Sequence, residues 1–115
     1  MTEGDVALTT IPQVDGRAKP RPVILLRQLP PFGDWLIRGV STQLHQEAVD
    51  FDELIDDSQP DYRASGLKAT SLIRLGFLAV IPARRVLGVI GSISPERHLR
   101  LLNRLATRLL SPRST

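Results

Sequence analysis

The sequence predicts a mostly β fold with α: a small twisted antiparallel β-barrel carrying one carboxy-terminal helix. Three observations predict it. Short apolar stretches rich in branched residues recur from residue 5 to residue 93, each bounded by proline- or glycine-containing turns. The one strongly amphipathic stretch with helical spacing comes last, at 94–110. A length of 115 residues suits one domain with one core, expected over 1–110, with a short flexible tail at 111–115.

Residues 5–10, "DVALTT", alternate loosely and form a first strand. The next twelve residues, "IPQVDGRAKPRP", hold three prolines and a glycine, which predicts a loop. "VILLRQL" at 23–29 is a continuous apolar, branched run and reads as a central strand. "PPFGD" makes a turn, and "WLIRGVSTQ" at 35–43 a third strand with a bulge at Gly39. The acidic stretch 47–57 starts extended and ends in a helical turn, and 58–66 is a second loop. Residues 67–75 and 76–82 form two strands, or one bent at Gly76, and 84–93 the last strand. The helix opens with Ser94 as N-cap, Pro95 in its first turn and Glu96 at the positive end of the dipole. Leu99, Leu102, Leu105, Ala106 and Leu109 are expected on its buried face, with Arg97, Arg100, Arg104 and Arg108 opposite and His98 as a packing residue.

Composition narrows the chemistry. Cysteine is absent, which removes disulfides, thiolate metal sites and cysteine nucleophiles. Two histidines and no ligand-spaced acids predict no metal site, and no nucleophile-elbow motif supports a serine triad. No apolar run is long enough to span a membrane and the start lacks signal-peptide character, so a cytoplasmic protein is expected. The net charge is +3 and its distribution is uneven. Seven acids and no base lie between Glu47 and Asp61, whereas ten bases and one acid follow from Arg63. This asymmetry suits a polyanion-binding surface as well as simple solvation. The acidic segment is either a solvated loop or a cover for a basic cleft.

One residue stands out. Arg21 lies between Pro20 and Pro22 at the start of the apolar run. Prolines on both sides restrict it to extended geometry and aim its planar donors in a nearly fixed direction, which suits a phosphate. Arg17 and Lys19 lie just upstream. If the second and third strands form a hairpin about "PPFGD", Arg21 meets Ser41 and Thr42, and an arginine with two hydroxyls can hold a phosphodiester. A strand-end arginine beside turn hydroxyls is the plainer reading of the same residues. Among the aromatics, Trp35 and Phe77 read as core, while Phe32 and Tyr62 lie in loops where they either pack or stack on bases.

"GDV" at 4–6, "DG" and "KPRPVILL" within 15–26, "VSTQ" at 40–43, "SGLKATSLIRL" at 65–75 and "GSISPERHLRLLNRLATRLL" at 91–110 follow one another in order. The ordered set resembles the MazF/PemK family of toxin endoribonucleases from type II toxin–antitoxin systems. The resemblance implies an SH3-like barrel and a homodimer. It further implies metal-independent cleavage of single-stranded RNA, often mRNA, without a cofactor. The 2′-hydroxyl attacks the adjacent phosphate to give a 2′,3′-cyclic phosphate and a 5′-hydroxyl. An acidic antitoxin would be the protein partner. Carried over by position, Arg21 and Ser41 are the catalytic residues, with Thr42 the alternative to Ser41. Arg17, Lys19, Thr42, Gln43 and Arg74 would bind RNA. Two departures bear on the base: Gly76 stands where some members have an aspartate, and the first loop offers Asp15 and Gly16 where some have a histidine or glutamate. Asp15 or His45 would then substitute, or Arg21 would act mainly by electrostatics. A catalytically decayed binder of RNA or antitoxin, or a gyrase-type toxin acting through the carboxy-terminal helix, are the alternatives.

Overall fold

A computed structural model describes residues 1–12, 18–49 and 51–113. It contains β1 (Asp5–Pro12), β2 (Ala18–Leu29), β3 (Asp34–Ser41), β4 (Glu53–Ile55), β5 (Ser71–Ile81), β6 (Val86–Ser92) and the helix α1 (Pro95–Leu110), with 3-10 turns at Leu44–Gln46 and Ala83–Arg85. The strands form one antiparallel sheet in the order β4-β5-β3-β2-β1-β6. The mostly β class with a carboxy-terminal helix is as the sequence predicts. The barrel differs in its closure, because the ladder runs from β4 to β6 without joining the two.

Backbone contacts from the β4–β5 loop cover part of that seam. The Ser92 N–H donates to the Ala64 carbonyl at 2.8 Å. Glycine is required on both sides of this contact. A Cβ on Gly91 would lie 2.1 Å from the Ala64 oxygen, and one on Gly66 (φ +73°) would lie 2.1 Å from the Ile90 oxygen.

Both faces of the sheet are covered, which explains why Val23–Leu26 is an unbroken apolar run with every residue buried. Ile24 and Leu26 point to the face that α1 covers with Leu101 and Leu105, joined by Val6, Ile55, Ile73 and Ile93. Val23 and Leu25 point the other way, where the sheet curls over Ala7, Trp35 and Ile37, with Ala79, Ile81, Ala83 and Val86 at the margin. Full burial of each large side chain contributes about 1.5–3 kcal/mol.

Two elements differ from expectation, and one alternative is settled. Of the predicted loop at 11–22, the described residues 11–12 and 18–22 are strand: Thr10 pairs with Pro20, Ile11 with Lys19 and Pro12 with Ala18, while 13–17 lie outside the described residues. Pro20 and Pro22 are two residues apart, so both missing donors lie on one side of the strand. The β3 ladder begins only at Val23, so no third strand demands those donors. Of the two readings for 67–82, the single strand is the one formed: β5 runs Ser71–Ile81 through Gly76. On α1 the N-cap is as predicted, with Ser94 Oγ accepting the Arg97 N–H at 3.1 Å. Its faces are redistributed, however. Leu105 is buried and Leu102 half-buried, but Leu99, Ala106 and Leu109 are exposed, while Arg97 is buried.

That burial depends on the acidic segment. Arg97 makes a paired contact with Asp61 (Nε–Oδ2 2.7 Å, Nη2–Oδ1 3.0 Å), a 2.9 Å bond to Glu53 and a further bond to Gln59. Glu53 also receives Arg100 at 3.1 Å and lies 3.7 Å from Arg104. Asp52, Glu53 and Asp61 are thus buried against the helix rather than solvated or laid over Arg21. Glu53 and Asp61 are partners of the helix arginines Arg97, Arg100 and Arg104, while Glu47 and Asp57 are exposed, so part of the charge asymmetry is used within the fold.

Candidate functional site

Arg21 lies inside β2, opposite Thr9 of β1, rather than at the mouth of a loop. The period-two alternation of a strand puts Lys19 and Arg21 on the face of Val23 and Leu25. On the other side of β2, Val23 pairs with Gly39, Ile24 with Arg38 and Leu25 with Ile37. Two more steps in this register bring Arg21 to the level of Ser41, on the same face of the sheet. The hairpin expected from "PPFGD" is therefore present; its ladder ends at Val23 and Gly39, two residues from Arg21 on one strand and two from Ser41 on the other.

Ser41 ends β3 and is half-buried. Its Oγ accepts the Gln43 N–H at 3.0 Å, a local turn that leaves the hydroxyl proton as a donor. Thr42 and Gln43 follow, both exposed, and Lys19 and Arg21 are exposed as well. Arg17 and Asp15 lie outside the described residues. Arg74 is tied to the segment after β3: its Nη1 donates to Gln46 Oε1 at 3.2 Å, and its Nε lies 4.0 Å from Asp52 Oδ2. These contacts join it to that segment. His45 sits on the same 3-10 turn as Gln46, exposed. Gly76 is exposed, and a Cβ placed on it would have no other atom within 4 Å, so an aspartate there would meet open space. His98 is a packing residue as expected, its Nε2 2.8 Å from the Leu26 carbonyl oxygen.

One aromatic residue differs from the sequence reading. Phe77 is half-buried and not part of either core cluster. A Cβ on Gly39 would lie 2.6 Å from its Cγ and 2.7 Å from its Cδ1, so the ring occupies the space a side chain at 39 would fill. Tyr62, by contrast, packs against the helix-side core, and Phe32 is exposed at the far end of the β2–β3 hairpin. No sequence signal singles out Arg38. It is fully buried on β3, its Nε donates to the Arg74 carbonyl at 3.3 Å, and its Nη1 and Nη2 have no hydrogen-bond partner among the described residues. Burial lowers its pKa to about 10, opposed by Asp52 and Glu53 and reinforced by Arg104. An arginine held this way supports the strand bulge from behind and does not face the Arg21 side.

Among the described residues no cluster of three or more histidine or acidic side chains is placed to hold a metal ion, and no helix is long and apolar enough to cross a membrane. The chain matches no protein-family model and no curated protein.

Proposed function

We propose that the protein is a toxin-type endoribonuclease that cleaves single-stranded RNA without a metal and is neutralised by an acidic antitoxin. The observation that supports the proposal is the β2–β3 register, whose last pair, Val23 with Gly39, lies two residues from Arg21 and two from Ser41, so that the same register continued would bring the two level on one face.

In this reading Arg21 donates paired N–H bonds to the non-bridging oxygens of the scissile phosphate, and the Ser41 hydroxyl donates a further bond. The 2′-oxygen forms a new bond to phosphorus and loses its proton, while the bond to the 5′-oxygen breaks and that oxygen gains a proton. A guanidinium holds its proton tightly and is a poor proton shuttle. Its role is to offset charge on the five-coordinate phosphate, where one preorganised donor is worth about 3–4 kcal/mol. His45, four residues after Ser41, is the described side chain suited to proton transfer. Lys19, Thr42, Gln43 and Arg74 would position the strand by its backbone. A homodimer is part of the proposal, supported by the exposed, uncharged edge strand β6.

The test is incubation with a long single-stranded RNA in EDTA, followed by mapping of the product ends. The proposal expects 2′,3′-cyclic phosphate and 5′-hydroxyl ends that disappear with Arg21→Ala, while the melting temperature changes little. Ends of another type, or unchanged cleavage by the variant, would refute it. The exposure of Leu99 (59%), Leu109 (71%) and Leu110 (85%) favours a second reading, a toxin that grips a protein through α1. Absence of cleavage by folded protein, with toxicity lost on Leu109→Glu, would select that reading.

A further inference from the structure

We infer that Phe77 is the base-stacking platform of the site, the residue on which the nucleotide next to the scissile phosphate lays its base. The inference rests on the ribonuclease reading and goes beyond it by naming a nucleobase contact. Four lines of geometry converge on this ring.

The first is its place. Leu78 pairs with Arg38 and Ile73 with Val40, so four residues of β5, Arg74 to Phe77, stand opposite the single residue Gly39. A bulge of this size breaks the alternation and re-aims side chains, as bulges beside functional sites do. The second is its face. Ala79 packs against the Trp35–Ile37 cluster, and Phe77, two residues earlier, turns to the same side. That is the side of Arg21 and Ser41. The third is its level. Gly39 pairs with Val23, so the ring lies two strand residues from Arg21 on β2 and two from Ser41 on β3, about 7 Å along either strand. A base attached to a phosphate held at Arg21 and Ser41 spans a distance of that order. The fourth is its support. The ring rests where Gly39 has no side chain, and Gly39 is itself buried, so the platform is backed by rigid backbone while part of it stays open.

The other aromatics do not compete. Trp35 is 1% exposed and Tyr62 packs on the opposite face. Phe32 lies at the far end of the hairpin, and Phe51 sits under Arg108 at 5.9 Å from the ring centroid. Stacking is tolerant of base identity, so Phe77 would add affinity and fix the strand's course rather than choose the base.

The experiment uses the full chain and a short, mixed-sequence single-stranded oligonucleotide with 2′-deoxy sugars, which lacks the attacking hydroxyl. Binding is measured by fluorescence anisotropy for the wild type, Phe77→Leu and Phe77→Trp. Phe77→Leu should raise Kd about tenfold and Phe77→Trp should restore it. Because the native Trp35 is buried, the tryptophan in Phe77→Trp also reports directly, and the oligonucleotide should quench it. That signal does not depend on Phe77→Leu folding. Cleavage by the wild type combined with equal Kd for Phe77→Leu, or with an unquenched tryptophan, would overturn the inference and leave the ribonuclease reading standing. A wild type that neither binds the oligonucleotide nor cleaves RNA would overturn both.

Discussion

At the residue scale, the helix arginines show how a polar side chain becomes structural. Arg97 reads in sequence as one more cation on a solvent face, since its partners lie 36 and 44 residues away. Nothing local signals that Asp61 and Glu53 will meet it in the interior. Phe77 is illegible for a similar reason. Its partner is a glycine on another strand, reached through a bulge, and a glycine carries no apolar pattern to read. Arg21 is legible because its restraint is local: the two flanking prolines are adjacent in sequence. The buried pair yields a pH prediction. Burial acts to raise the pKa of Asp61, but hydrogen bonds from Arg97 and from the Ser94 N–H outweigh it, so the carboxyl is held below its usual value of 3.8. A carboxylate depressed in the folded state stabilises the protein above the unfolded value, and that stabilisation is lost as pH falls through the folded one. Denaturant titrations from pH 6 down to about pH 2 should therefore show a falling stability, and Asp61→Asn should flatten that slope. An unchanged slope in the variant would place the acid sensitivity elsewhere.

At the scale of elements, strands and helix follow from different signals. The central run 23–29 is legible because a strand buried on both faces has no polar alternation. The extension of β1 and β2 into the proline-rich segment is not, because proline reads as a breaker unless one side of the strand is open, and openness is a tertiary property. The α1 boundaries are legible from Ser94 and Pro95, whereas its buried face is set by the arginine network rather than by leucine count. β6 carries an element-scale prediction. It is a sheet edge without a charged residue; its end at 90–92 meets the β4–β5 loop, and the stretch before it carries Leu87 and Val89, 59% and 43% exposed. Such an edge invites pairing with a second copy. Sedimentation equilibrium should show a dimer for the wild type and a monomer for Val89→Lys, with the far-ultraviolet circular dichroism unchanged. A wild type that stays monomeric across the accessible concentration range would refute pairing through this edge.

At the scale of the whole molecule, the division of labour follows the two faces of the sheet. One face is filled by α1 and locked by the acidic segment. The other curls into a smaller core whose rim carries Lys19, Arg21 and Ser41, with Phe77 over Gly39. Part of the charge asymmetry seen in the sequence is thereby used inside the fold, through Glu53 and Asp61, and the proposed site depends on a few placed groups. The central claim is that Arg21 and Ser41 act on one phosphate. A double-mutant cycle on single-turnover RNA cleavage tests it most directly, with Arg21→Ala, Ser41→Ala and the double variant. If both groups bind the same phosphate, the double variant should be much less impaired than the product of the single losses. Independent, multiplicative losses would contradict a shared phosphate and place Ser41 in the turn with Gln43 alone.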